Sequence, residues 1–220
     1  MERSSREWIG AATGIAFFVV LIISFIVAGD QPPDAKDGAQ KVADFYVDNK
    51  SSLEVGAGVS AVAAILFVFF AGYLRKVLRA GEGQDGWLSL VAFSGGVILA
   101  ISAGIDSTIT VAAAETADDH LDPLVVQTFQ GLFENDFIPF VIGVLTIELA
   151  AGMSIVFHRQ LPVWLGWVGI VLGVCGLIGV VTLTPVGFIA VIGGALWVLA
   201  LSIVMTMRAR RPAAPAAAAA

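Results

Sequence analysis

Six uninterrupted apolar runs, each about as long as a bilayer is thick, leave this chain few folds to choose from. They are Trp8–Ala28, Leu53–Leu74, Trp87–Ala113, Phe137–Phe157, Val163–Leu183 and Val186–Met207. About 20 apolar residues in a helix cross the roughly 30 Å hydrocarbon core, so each run predicts one crossing. Barrel strands would alternate in polarity over about ten residues, and these runs do not. The predicted fold is therefore all-α, a polytopic bundle of six transmembrane helices with short amphipathic helices in the outer loops. Composition agrees: 58% of the 220 residues are hydrophobic and 14% charged, with mean hydropathy +0.90. A soluble domain carries about 25% charged residues. Residues 1–207 read as a single domain, followed at 208–220 by a basic and then Ala/Pro-rich tail of low complexity.

Charge asymmetry sets the orientation. With both termini cytoplasmic, the inner side collects nine cations: Arg3, Arg6, Arg75, Lys76, Arg79, Arg159, Arg208, Arg210 and Arg211. The outer side receives three, Lys36, Lys41 and Lys50. This satisfies the positive-inside rule and requires an even number of crossings. The first run is long and lacks a clear small-residue cleavage site, so it reads as an uncleaved helix. The cations Arg75, Lys76 and Arg79 read as a topology anchor facing anionic lipid headgroups.

Between the first and second runs, Val42, Phe45 and Tyr46 recur at helical spacing among Lys41, Asp44 and Asp48. A short amphipathic helix is expected there, as a cap on the bundle mouth or a lid over a ligand entrance. A second outer helix is expected from Pro123 to Phe133, because Asp122-Pro123 supplies an N-cap and a proline at the first helical position. The connection before it is acidic, and Asp118, Asp119, His120 and Asp122 offer oxygen and imidazole ligands. Their spacing fits no EF-hand or zinc motif, so a solvated turn is favoured and no metal is assigned.

Much chemistry is excluded. No lysine or histidine lies inside a run, which removes a retinal Schiff base, the common haem ligation and an H-E-x-x-H protease site. No nucleotide-binding motif is present and no cofactor is implied. Beyond the basic tail there is no face for nucleic acid. The single cysteine, Cys175, lies within the fifth run and can form no intrachain disulfide.

One carboxyl survives every shift of boundaries. Glu148 has about ten apolar residues on either side, and an isolated acid at that depth favours its neutral form. Small residues are expected around it, including Gly95, Gly96, Gly173 and Cys175, with Ser94 as a hydrogen-bond partner. Two readings stay open: Glu148 joins helices through a hydrogen bond, or it handles a proton or a ligand in a midplane cavity. Asp106 is the second candidate acid. It falls either within the third span or at the outer interface, depending on where the spanning part ends.

Several features together resemble six-helix integral membrane proteins common in actinobacteria: the short basic N-terminus, the outer segment AQKVADFYVDNKSS, the acidic loop before the fourth run and LPVWLGWVGIVLGV entering the fifth. The resemblance implies a fold and a bacterial cytoplasmic membrane location, and it transfers no functional residue. A non-enzymatic role is favoured over catalysis, which would need Glu148 and Asp106 to approach within about 5–10 Å as a carboxylate pair. That role is either binding or transport of a small, cationic or lipidic ligand near Glu148, or service as a structural or accessory subunit of a membrane complex. The lipid bilayer is the one partner that composition demands.

Overall fold

The computed structural model describes residues 7–84, 86–182 and 186–210. It contains α1 (Glu7–Ala28), α2 (Ala39–Glu82), α3 (Trp87–Asp118), α4 (Pro123–Asn135), α5 (Phe137–His158), α6 (Val163–Thr182) and α7 (Val186–Arg210), with a 3-10 turn at Ala35–Asp37. Among the described residues six helices are long and apolar enough to cross a membrane, and α4 is the additional one. The chain is thus a multi-pass membrane protein with an all-α bundle. Residues 183–185 between the last two crossings, the cations Arg3, Arg6 and Arg211, and the rest of the tail lie outside the described residues.

The six crossings form a ring in chain order. α1 packs on α2, α2 on α3, α3 on α5, α5 on α6 and α6 on α7, and α7 closes back onto α1. α5 also touches α2 and α7 across the ring. It belongs to the most enclosed crossing, with 56% of its apolar window buried against 17% for α1. Side chains fill the inner half of the ring: Phe67, Phe70, Leu74 and Leu78 from α2 meet Ile147, Ala151 and Ile155 of α5 and Leu201 of α7. Trp8, Trp87, Trp164 and Trp167 are exposed near this end, where amphipathic rings suit a membrane interface.

Lipid offers helices no hydrophobic drive to associate, so close backbone contact must supply the attraction. Glycines on two sides of α5 permit it. A Cβ on Gly143 would lie 2.7 Å from the Leu99 nitrogen and 3.0 Å from the Gly95 carbonyl oxygen of α3. A Cβ on Gly152 would lie 2.8 Å from the Gly166 carbonyl oxygen of α6. Two buried hydrogen bonds hold α7: Trp197 Nε1 donates to the Leu165 carbonyl at 2.7 Å, and the Ser202 hydroxyl donates to the Ala11 carbonyl at 2.5 Å.

The outer segment is helical as expected, but it is not a separate short helix. Val42, Phe45 and Tyr46 belong to α2, whose 44 residues run unbroken from the cap through the membrane. No proline or paired glycine interrupts 39–82, so nothing stops the helix at the interface. At 1.5 Å per residue α2 is about 66 Å long and α3 about 48 Å, well beyond the hydrocarbon. Their overhangs and α4 form an extramembrane cap with its own core of Val42, Tyr46, Leu53, Ala113, Ala114, Ala117 and Val126. Inside it, the Tyr46 hydroxyl donates to Gln130 Oε1 at 2.8 Å. At its edge Lys50 Nζ donates to Asp118 at 2.6 Å, and that bond holds the Asp118 carboxyl below its usual range.

A methyl group placed in the α3–α5 contact tests the clamp. Gly143→Ala is expected to destabilise the detergent-purified protein by about 1–3 kcal/mol despite its better helix propensity. At exposed Gly58 an added Cβ meets nothing within 4 Å, so Gly58→Ala is expected to leave thermal unfolding unchanged or slightly raised. Equal unfolding temperatures for the two variants would remove the clamp from the account.

Candidate functional site

Glu148 lies near the middle of α5, about 16 Å by helical rise from Phe137. It is fully buried, and glycines face it. A Cβ on Gly173 of α6 would come within 3.5 Å of Glu148 Cβ, and one on Gly194 of α7 would collide with Glu148 Oε1. Neither carboxyl oxygen has a hydrogen-bond partner among the described residues. The expected bond to Ser94 is not made. Ser94 is exposed on α3, and its hydroxyl donates to Leu90 of its own helix at 3.1 Å. Gly95 lies against another face of α5, near Thr146 and Ile147, and Gly96 packs on Ala71 of α2. Glu148 is thus a side chain fitted between α6 and α7 by the absence of side chains opposite it.

The cavity opens elsewhere. In the outer half of the ring, α1, α2, α3 and the start of α5 enclose about 300 Å³ around Asp106. Its roof is the elbow between α4 and α5, with Phe133 and Asp136, and the segment Asp30–Pro32 that follows α1. This sets the level of Asp106 within the bundle. It shares the cavity with residues just beyond the end of α1 and just before α5, so it lies level with the ends of those two helices, while α3 itself continues into the cap. Asp136 is about 18 Å by helical rise from Glu148, so the outer carboxyls and Glu148 form no pair of the kind that cleaves glycosidic bonds at about 5–10 Å.

The cavity's chemistry is one-sided. Asp30, Asp106 and Asp136 line it and no Lys, Arg or His does. Asp136 Oδ2 is buried without a hydrogen-bond partner among the described residues. Ser102, Ser107 and Thr110 donate their hydroxyl protons to carbonyls of α3 at 2.8, 2.9 and 3.0 Å, which leaves oxygen lone pairs as acceptors. Phe25, Phe137 and Phe140 supply apolar wall. Such a lining favours a positively charged group joined to an apolar body.

The acidic turn is committed to structure. Asp118 pairs with Lys50, and the Asp122 carboxylate accepts from the Leu124 backbone N–H at 2.9 Å as the N-cap of α4. His120 has a left-handed backbone with φ 54°. Among the described residues no group of three His, Cys, Asp or Glu side chains is placed to hold a metal ion.

Sequence reasoning missed a polar knot at the inner end. Glu82, the last residue of α2, accepts from the Ser89 backbone N–H at 3.0 Å in the first turn of α3, and also from the Ser154 hydroxyl of α5. Gln160 Nε2 donates to Ser154 Oγ and to the Leu78 carbonyl, each at 3.0 Å, and Arg208 donates to the Gln160 carbonyl at 2.6 Å. Glu82 precedes the N-cap Gly86 by four residues, so no capping motif marks it, and its one signal in the sequence is a negative charge near a helix N-terminus.

Compared with protein-family models, curated proteins and solved structures, the chain matches none.

Close packing of Gly194 on Glu148 yields a paired test. Gly194→Ala is expected to destabilise the protein by about 1–3 kcal/mol through overpacking, and adding Glu148→Ala should restore most of that loss. Glu148→Met alone is expected to raise the unfolding temperature, because it removes a buried polar group that lacks a partner. A lower unfolding temperature for Glu148→Met would point to a bonded structural role.

Proposed function

We propose that this chain is a multi-pass protein of the bacterial cytoplasmic membrane that binds a small cationic amphiphile in the outer cavity around Asp106. One observation carries the reading: three carboxyls and no basic group line a largely apolar cavity of about 300 Å³ at the outer interface. That volume lies at the small end of the range for small-molecule sites and suits an amine with a short alkyl or aryl body. Removed from bulk water, an ammonium group gains charge-assisted hydrogen bonds from Asp106 and Asp136, while the phenylalanine rings take the apolar part. The acidic cap raises the local concentration of cations over about one Debye length. Binding is favoured over passage, because Phe67, Phe70, Leu74 and Leu78 fill the inner half of the ring below the cavity. Glu148 lies outside this site and is not part of the proposal.

Calorimetric titration of the detergent-purified protein with octylammonium, octanol and octanoate tests the reading. Octylammonium is expected to bind best and octanoate least. Asp106→Asn is expected to weaken octylammonium binding about tenfold to a hundredfold, as loss of a charged hydrogen bond does. Glu148→Gln should leave it unchanged. Equal affinity for octanol and octylammonium would overturn the proposal.

A further inference from the structure

The inner end of α2 carries a second concavity of opposite chemistry. Gly72, Arg75, Lys76, Arg79, Ala80 and Gly83 line about 450 Å³. Their three- and four-residue spacing places them on one face of the helix, and the two glycines leave the groove open at its ends. Cations at the inner end of a crossing are an ordinary topology signal and need no particular geometry. Here the geometry is specific. The Arg75 guanidinium is seated over the Phe93 ring of α3 at 5.6 Å, and its Nε is buried with no hydrogen-bond partner. Lys76 pairs with Glu7 of α1 at 3.0 Å. Among the described residues Arg75 and Arg79 make no ion pair, so the groove holds uncompensated positive charge.

The apolar continuation matches. One and two turns nearer the midplane the same face of α2 presents Phe69 and Ile65, exposed at 65% and 58%. A cationic groove opening onto an apolar, lipid-facing track has the polarity profile of one phospholipid molecule: anionic head at the interface, acyl chains along the helix. We propose that this groove is a specific site for the phosphate headgroup of an anionic phospholipid of the inner leaflet, held by Arg75 and Arg79 with its chains along Phe69 and Ile65. Guanidinium groups suit that role because their planar fork donates two parallel hydrogen bonds to phosphate oxygens. The site is separate from the outer cavity and does not depend on the ligand proposed there.

Native mass spectrometry of the full chain in detergent, titrated with phosphatidylglycerol, phosphatidylcholine and inorganic phosphate, tests the inference without relying on membrane orientation. Phosphatidylglycerol is expected to be retained at least about tenfold better than phosphatidylcholine, and inorganic phosphate should not displace it. Arg75→Gln with Arg79→Gln should abolish the preference, and exposed Arg79→Gln alone should reduce it about fivefold. Lys36→Gln with Lys41→Gln, which removes the same charge at the outer end, should leave it intact. Equal retention of the two lipids, equal loss in both double variants, or an undiminished preference in Arg79→Gln would overturn the inference. Displacement by inorganic phosphate would reassign the groove to a free anion.

Discussion

Backbone-to-backbone contact of α5 with α3 on one side and α6 on the other is the constraint from which the rest of the bundle follows. In lipid, helices gain from each other only through close packing and hydrogen bonds, and paired glycines bring the axes near enough for both. Gly143 against Gly95 and Gly152 against Gly166 fix α5 in rotation as well as in position. Glu148 lies one turn before Gly152 and is thereby turned toward α6, away from Ser94 and Gly96 on α3. The glycine row of α6 and Gly194 of α7 then make the room it occupies.

Unequal helix lengths shape the outer half. α1 and α5 end near the outer interface, as helices of 22 residues must, whereas α2 and α3 continue for several turns. The overhangs need a core of their own, and Tyr46, Val42 and Val126 provide it together with α4. Where short helices stop beside long ones, side chains no longer close the ring. The α4–α5 elbow roofs that gap, and Asp106, Asp136 and Asp30 are the polar groups left facing into it.

The two ends divide their polar chemistry by sign and by use. At the inner end Glu82, Ser154 and Gln160 tie α2, α3, α5 and the turn before α6 to one another, so the crossings are anchored where the chain reverses. At the outer end the acids outnumber the cations, and Lys36, Lys41 and Lys50 pair with Asp34, Asp37, Glu54 and Asp118 but with none of the cavity's three carboxyls. Uncompensated carboxyls at one interface and uncompensated guanidinium groups at the other are the features that point to ligands of opposite charge.

What the amino-acid sequence determined by itself is the class of solvent, the number of crossings and the sign of each end, because apolar run length and charge placement are one-dimensional quantities. It also placed Glu148 near the middle of its apolar run, since helical rise converts residue number into position along the axis. Rotation about the helix axes lay beyond it: whether Glu148 meets Ser94 or Gly194 depends on which glycines interlock, and one helical face is as apolar as the next. The continuity of α2 was equally hidden, because an amphipathic stretch followed by an apolar one reads the same with or without a break. Only the tertiary structure decided that the cavity belongs to Asp106, for a cavity arises where several helices end at different heights, and no single segment records that.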